Sequence, residues 1–412
     1  MSELIQLAVS NRKEWPESGL DVAALRAGEW QQPPFDLFIV KIHERCNLAC
    51  TYCYMYEMAD QSWLGRPMAM AGETIDALAR RISEHVDAHD LKTIYVVLHG
   101  GEPLLAGPDM IDHFVRTVRD AVEDRAEVRF KMQTNGLLLD ERMLGVLLAH
   151  DVRIGVSLDG GVKENDRSRK YRNGRGSYSD VARAMELLGS GRFRRSFSGF
   201  LCAIDLRNDP IECYEALAEF SPPAIDFMLP HANWTTPPPR AESGSSPAPY
   251  ADWLIRIYEY WRKNPDKPKV RFFQNIFRLS LGGPSTVEYI GLSPVRLVVI
   301  DTDGSLQQAD SLKSTFPGAP ETGLNVFEHS FDTALDHPAV IARQIGASGL
   351  SATCQACAIS DVCGGGHYTH RYRSGSGFLN PSVYCADLMR LVTHIQQDMR
   401  RELLADREAS DA

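Results

Sequence analysis

The feature that most constrains this chain is a short loop with three cysteines, Cys46, Cys50 and Cys53, directly after an apolar run. Three thiolates on one loop can hold three irons of a [4Fe-4S] cluster, and the fourth iron is then left for a ligand that is not protein. A closed structural zinc site needs four ligands, and residues 54–63 contain no further cysteine or histidine. The ligand count therefore favours an iron–sulfur cluster with one open coordination site.

The composition of the chain excludes several classes of protein. With a net charge of −10 and a pI near 5.7, the chain has no basic stripe with which to displace the counterions of a nucleic acid, so we expect no nucleic-acid partner. The first residues have no signal-peptide core, and no apolar run reaches the ~18 residues of a membrane span. We expect a cytoplasmic protein without a membrane partner, and its nine cysteines, seven of them in two tight groups, indicate metal or redox use rather than disulfides.

Strand-like and helix-like segments alternate along the first half of the chain. The predicted strands are residues 35–43, 93–99, 128–133, 153–158, 195–204 and 224–229. The predicted helices between them are residues 73–88, 110–122, 140–149, 179–188 and 211–220. This alternation predicts parallel βαβ units wound as an open or closed barrel, with the chemistry at the carboxyl ends of the strands.

Changes of composition divide the rest of the chain. Residues 233–249 are rich in Pro, Ser and Gly and are predicted to be a linker, an aromatic-rich helix follows at 250–262, and a strand at 295–300 begins a second unit. The polar N-terminal residues contain one short predicted helix at 22–26. The predicted units are a lead-in (1–34), the barrel (35–232), a linker with a bridging helix (233–294) and a C-terminal domain (295–412).

The cysteine loop, with Tyr52 before its last cysteine, resembles the signature of the radical S-adenosylmethionine (SAM) enzymes. The resemblance implies that SAM chelates the open iron through its amino and carboxylate groups, with Tyr52 near the adenine. Gly100, Gly101 and Glu102 belong to a Gly-Gly-Glu-Pro segment after the second predicted strand, where paired glycines allow a ligand to approach the backbone. In that family this segment binds the SAM amino group.

Other polar residues follow the next strands. Asn135, Ser157 and Asp159 suit ribose hydroxyls, and the alternative is that they are ordinary turn residues. By the same resemblance Arg169 contacts the SAM carboxylate, with a solvated charge as its alternative.

A second cysteine group lies near the C-terminus, at Cys354, Cys357, Cys363 and Cys385. Four thiolates at these spacings fill either a second [4Fe-4S] cluster or the shell of a zinc ion, and ligand count does not choose between them. The spacing is similar to the SPASM extension of peptide-modifying radical SAM enzymes, which implies an auxiliary [4Fe-4S] cluster.

The chain departs from the full SPASM pattern at two positions. His367 and Ala309 stand where that pattern has cysteines for a further cluster, so we expect one auxiliary cluster. Asp310, next to Ala309, aligns with an aspartate that acts as general base in sulfatase-maturing members; its alternative is a turn residue.

Three longer segments, 54–63, 310–313 and 363–385, resemble the FxsB-type radical SAM/SPASM peptide maturases. This resemblance implies an α/β fold, a partial (β/α)6 TIM-like barrel with a C-terminal SPASM-like iron–sulfur domain. It implies SAM as cofactor, a ribosomally synthesised precursor peptide as partner, and a reducing electron donor such as flavodoxin or ferredoxin.

The implied reaction begins when the 5′-deoxyadenosyl radical removes a hydrogen from a peptide β-carbon, which then joins an aromatic ring carbon to give a cyclophane. The alternatives are sulfatase maturation, thioether formation or epimerisation on the same scaffold, or a metal-bearing scaffold protein without turnover.

Overall fold

The computed structural model of the chain describes residues 14–28, 30–239 and 246–410. The strands are β1 (Leu37–His43), β2 (Thr93–Gly100), β3 (Glu127–Thr134), β4 (Arg153–Ser157), β5 (Phe197–Ala203), β6 (Ala224–Met228), β7 (Lys269–Val270), β8 (Leu297–Ile300), β9 (Ser305–Gln307) and β10 (Glu321–Asn325). The helices are α1 (Val22–Ala27), α2 (Gly72–Ala88), α3 (Pro108–Val122), α4 (Glu141–Ala149), α5 (Val162–Ser168), α6 (Tyr178–Leu188), α7 (Pro210–Ala218), α8 (Pro249–Arg262), α9 (Arg271–Ser280), α10 (Phe331–Leu335), α11 (Pro338–Ile341), α12 (Ala352–Gln355), α13 (Ser360–Cys363) and α14 (Cys385–Ser410).

One twisted sheet of ten strands organises the molecule, in the order β10-β9-β8-β1-β2-β3-β4-β5-β6-β7. Neighbouring strands from β8 to β7 are parallel, while β9 and β10 are antiparallel. Because β7 and β10 lie at opposite edges, the barrel is open. The predicted α/β fold with a partial barrel of six βα units is confirmed, since β1 to β6 and the five predicted helices lie close to the predicted bounds, while the short helix α5 was not predicted.

The strand predicted to begin a second unit instead extends the first sheet. β8 pairs in parallel with β1, with Leu37 opposite Leu297 and Val40 opposite Ile300. All four residues of β8 are apolar and buried, which is typical of a parallel strand covered on both faces but does not reveal which sheet it joins. The sheet therefore continues across the predicted boundary at residue 295.

The segment predicted to be a linker with a bridging helix is more structured than expected. The bridging helix is present as α8, and the two-residue strand β7 and the helix α9 follow it. Phe272, Phe273 and Ile276 of α9 are buried in the core. Residues 240–245 of the predicted linker and residues 1–13 of the predicted lead-in lie outside the described residues.

The two faces of β1 have different environments. Phe38, Val40 and Ile42 belong to the main core, which includes the buried face of α2. Leu37 and Ile39 pack in a separate inner cluster with residues of β8. Because side chains alternate along a strand, Lys41 continues the inner row and lies inside the barrel, fully buried. Within the described part of the chain, no helix is long and apolar enough to cross a membrane.

Candidate active site

The cysteine loop begins at the carboxyl end of β1 and is fixed by backbone hydrogen bonds. Ala49 N donates to Lys170 O over 2.7 Å, and Thr51 N donates to Ser168 O over 3.1 Å. These bonds place the loop beside Arg169, the residue predicted to contact the SAM carboxylate.

The three thiols of the loop fit an iron–sulfur cluster. The Sγ of Cys46 accepts from Leu48 N over 3.4 Å and from Asn135 Nδ2 over 3.7 Å, as cluster-ligating sulfurs commonly do. Burial raises the pKa of Cys46 to about 12 and that of Cys53 to about 11. Thiols so hard to ionise become thiolates when metal charge compensates them, and both are free cysteines. Cys50 completes the set.

The paired glycines after β2 lie against this loop. Gly100 has a φ of +139°, and an added Cβ there would be 2.1 Å from the carbonyl oxygen of His43. A Cβ on Gly101 would be 1.9 Å from the hydroxyl of Tyr56. Glycine is therefore required at both positions for the Gly-Gly-Glu-Pro segment and the cysteine loop to approach each other.

The carboxylate of Glu102 is buried and largely satisfied. It accepts from Leu104 N over 3.1 Å, Thr134 Oγ1 over 2.5 Å and Asn135 N over 2.8 Å. Burial raises the pKa of Glu102, and these hydrogen bonds oppose that effect. A carboxylate offers about four acceptor sites, so about one is left for a ligand's ammonium group. Glu102 also anchors the end of β3, a role that the sequence did not reveal.

Tyr52, Asp159 and Arg169 form one hydrogen-bonded group. The Tyr52 hydroxyl donates to Asp159 Oδ2, and Arg169 Nη1 donates to the Tyr52 oxygen over 2.9 Å. Asp159 and Arg169 are buried, and the Nε of Arg169 has no acceptor among the described residues. Burial opposes the charge of Arg169, but Tyr52, Cys50 and Asp159 outweigh it and raise the pKa of Arg169. A permanent cation with a free donor suits a ligand carboxylate.

The remaining predicted SAM residues lie at neighbouring strand ends. Asn135 follows β3, and its side chain also donates to Asn47 Oδ1 over 2.7 Å. Ser157 ends β4 and accepts from Gln133 Nε2 over 2.9 Å. All the residues predicted to bind SAM therefore occupy the carboxyl ends of β1 to β4 or the segments that follow them.

Asp310 lies inside the barrel, beside the glycine pair. Its Oδ1 is 2.7 Å from the Nζ of Lys41, and its Oδ2 is 3.9 Å from the Nδ1 of His99, which precedes Gly100. The Lys41 ammonium occupies Oδ1, and Oδ2 accepts no hydrogen bond from the described residues. Asp310 thus combines a charge partner with unused acceptor sites.

Sequence reasoning missed the charged residues around Asp310. Lys41 and Asp301 are fully buried, with Nζ 3.0 Å from Asp301 Oδ2. Burial disfavours the ammonium, but Asp310 and Asp301 outweigh it and raise the pKa of Lys41. Burial raises the pKa of Glu44 to about 8. A lone lysine at an inward position of an apolar strand was the available signal for this group.

The C-terminal cysteines also converge. Burial raises the pKa of Cys363 to about 12, and the nearby Cys385 and Cys354 add to this effect. Burial also raises the pKa of Cys385, with Cys354 and Cys357 adding to it. These four free cysteines are therefore electrostatic neighbours, as the ligands of one iron–sulfur cluster would be.

Internal contacts occupy the two positions that lack the expected cysteines. His367 is buried, and its Nδ1 lies 2.7 Å from Thr369 Oγ1. Ala309 is buried in the inner cluster with residues of β8. Neither side chain offers the thiolate of the fuller pattern.

Comparisons with known proteins agree with this geometry. Residues 40–220 match the sequence profile of the Radical SAM superfamily. A cysteine-type anaerobic sulfatase-maturating enzyme of Clostridium perfringens (strain 13 / Type A) is 24% identical over 288 residues, 68% of this chain and 75% of that enzyme.

Two solved structures share the fold. Native anSMEcpe with bound AdoMet and Cp18Cys peptide has a TM-score of 0.73 and 20% identity, covering 90% of this chain and 99% of that chain. SuiB of Streptococcus suis bound to precursor peptide SuiA has a TM-score of 0.58 and 14% identity, covering 88% of this chain and 78% of that chain. The chain is therefore an enzyme with a Radical SAM region at residues 40–220, and SAM and [4Fe-4S] clusters are its cofactors.

Proposed function

We propose that this enzyme modifies a ribosomally made precursor peptide by joining an aromatic ring carbon to the β-carbon of a nearby residue. The similarity of segments 54–63, 310–313 and 363–385 to FxsB-type maturases supports this chemistry. The fold of SuiB, solved with its precursor peptide, and that of anSMEcpe, solved with a peptide, support a peptide substrate. The electron donor is proposed to be a flavodoxin or a ferredoxin.

Each cluster and each part of SAM has its own proposed set of binding residues. The proposed ligands of the SAM-binding cluster are Cys46, Cys50 and Cys53, and those of one auxiliary cluster are Cys354, Cys357, Cys363 and Cys385. The free acceptor of Glu102 is proposed to take the SAM ammonium and Arg169 the SAM carboxylate. Asn135, Ser157, Asp159 and Tyr52 are proposed to hold the nucleoside. When bound, these groups supply a carbon-centred radical that removes one hydrogen atom from the peptide, and an acceptor for one electron.

The position of Asp310 is the observation that carries the proposal. Bond formation to an aromatic ring leaves the ring carbon with one hydrogen too many, and restoring aromaticity releases a proton and an electron. A base is needed close to the SAM segment, and Asp310 lies beside His99 with unused acceptor sites. The ammonium of Lys41, 2.7 Å from Oδ1, holds this carboxylate in place. The peptide thus loses two hydrogens in total, and the proton goes to Asp310.

The test compares Asp310→Asn with the control Asp303→Asn. Asp303 lies on the turn between β8 and β9, and its carboxylate pairs with Arg66. Each reconstituted enzyme is incubated with SAM, reductant and the peptide encoded beside the gene. We expect Asp310→Asn to release 5′-deoxyadenosine while the cross-linked product falls ~10²- to 10⁴-fold, the usual contribution of a general base. Asp303→Asn is expected to form product normally. Undiminished product with Asp310→Asn would exclude the proposed base.

Sulfatase maturation is the second candidate, favoured by the similarity to the cysteine-type relative. A peptide with the target cysteine of a sulfatase distinguishes the two functions. A product that reacts with hydroxylamine, as an aldehyde does, would support maturation. If the peptide encoded beside the gene loses two hydrogens and does not fragment between the joined residues in tandem mass spectrometry, the result would support the cross-link.

A further inference from the structure

A group of three metal-ligating side chains lies outside the active site, where α2 meets α10. His85 lies in the last turn of α2, His89 is the residue that caps the C-terminus of this helix, and Asp332 belongs to the first turn of α10. The Oδ1 of Asp332 is 3.1 Å from His85 Nδ1 and 2.7 Å from His89 Nε2. One donor atom of each residue lies within 4.8 Å of the other two.

The backbone fixes the tautomer of His85. Its Nε2 is 3.1 Å from the carbonyl oxygen of Phe35, and a carbonyl only accepts, so this nitrogen carries a hydrogen. In the neutral ring the Nδ1 is then a bare lone pair. It faces the Asp332 carboxylate, which also only accepts. Two acceptors at this distance require a positive charge between them.

A metal ion supplies that charge better than a second proton. The His85 ring is buried among the aromatic rings of Phe35, Phe38 and Phe331. These apolar surroundings disfavour an imidazolium, whereas a metal ion at Nδ1 leaves the ring itself neutral and places the charge toward the solvent side. The side chains of His89 and Asp332 are 29% and 50% exposed, so an ion can enter and keep a water ligand.

The surroundings match those of known metal sites. A metal-ligating histidine nearly always donates its other N–H to a carbonyl or carboxylate, as His85 does to Phe35. Zinc–nitrogen distances of about 2.0 Å in a tetrahedral site separate ligand atoms by about 3.3 Å. The two separations from Asp332 Oδ1, 3.1 and 2.7 Å, reach this value if the half-exposed Asp332 moves by about half an ångström, and the two histidine nitrogens lie within 4.8 Å of each other.

We propose that His85 Nδ1, His89 Nε2 and the Asp332 carboxylate bind a divalent transition-metal ion of the zinc class, with water as the fourth ligand. The ion links α2 of the barrel to α10 of the C-terminal part. It is separate from the two cysteine groups and independent of the proposed peptide chemistry.

The test uses the intact enzyme with its clusters and Zn²⁺ as the only probe. Bound zinc is counted after equilibrium dialysis in the wild type and in His89→Gln and Asp332→Asn, both changes at exposed side chains. Asp112→Asn is the matched control, because it removes a carboxylate from another aspartate–histidine contact, in which Asp112 Oδ1 lies 2.7 Å from His150 Nε2. Comparison among these proteins cancels zinc bound at the cysteines.

We expect the wild type and the control to bind one zinc more than either variant, or to bind it at least tenfold more tightly. Thermal unfolding is expected to shift upward with zinc in those two proteins only. Equal zinc content in all four proteins would overturn the proposal. Lower thermal stability of the variants with unchanged zinc binding would identify an ordinary pair between Asp332 and a protonated His85, and would also overturn it.

Discussion

The ion pair between Asp60 and Lys313 connects two of the segments that resemble the peptide maturases. The side chains are 1% and 0% exposed, with Nζ 2.7 Å from Oδ1. Ser62 Oγ and Gly318 N also donate to the Asp60 carboxylate, each over 2.6 Å. The pair fastens the turn that begins at Asp310 to the segment after the cysteine loop.

Two independent arguments give the contribution of this ion pair to the free energy of unfolding. Burial opposes ionisation, but Lys313, Ser62 and Gly318 outweigh it and lower the pKa of Asp60 from 3.8 to about 2. At 1.36 kcal/mol per pKa unit, this shift corresponds to about 2 kcal/mol. Removing one member of a buried pair costs about 3–5 kcal/mol, because the other charge is left buried. We expect Asp60→Asn to lower the free energy of unfolding by about 3 kcal/mol.

The assay is urea unfolding of the reconstituted enzyme under anaerobic conditions, followed by tryptophan fluorescence. Asp109→Asn is the control, since it breaks a pair with Arg142 in which both side chains are more than half exposed. A surface pair contributes about 0–1 kcal/mol. The double variant Asp60→Asn/Lys313→Met is expected to recover much of the loss, because it removes the unpaired ammonium. A loss in Asp60→Asn no larger than in Asp109→Asn would refute the reasoning.

Three further outcomes are expected. Gly101→Ala reduces the iron bound per chain, because the new Cβ meets the Tyr56 hydroxyl at 1.9 Å; an iron content equal to the wild type would contradict this. Cys385→Ser lowers iron by about four per chain while 5′-deoxyadenosine formation continues, and unchanged iron would remove Cys385 from the proposed ligands. Burial lowers the pKa of His370 well below its usual value. Below pH ~6.5 the imidazole therefore gains a proton only in the unfolded chain, and the free energy of unfolding decreases as the pH falls. His370→Phe therefore flattens the decline between pH 6.5 and 5.5 by about 1 kcal/mol in urea unfolding, and an unchanged slope would contradict this.

The sequence predicted those features that depend on local patterns. Hydrophobic periodicity located β1 to β6 and the helices α2, α3, α4, α6 and α7 between them, and cysteine spacing indicated the two proposed groups of metal ligands. The two-residue strand β7 is too short to have a period, and the apolar strand β8 fits any buried sheet. The ion-pair partners of Lys41, Asp301 and Asp310, are more than 250 residues away in the sequence. Local sequence patterns contain no information on such long-range contacts.

The buried charges inside the barrel also explain why Asp310 lies close to the Gly-Gly-Glu-Pro segment. The pairing of Val40 with Ile300 puts Lys41 next to Asp301, the residue that follows β8. A slip of one residue would turn Lys41 away from Asp301 and leave an ammonium unpaired in the interior, at a cost of several kcal/mol. The ion pair therefore selects one register of β8 on β1. Because the β8–β9 hairpin leads directly to Asp310, the same register places the proposed base beside the strand that carries the glycine pair.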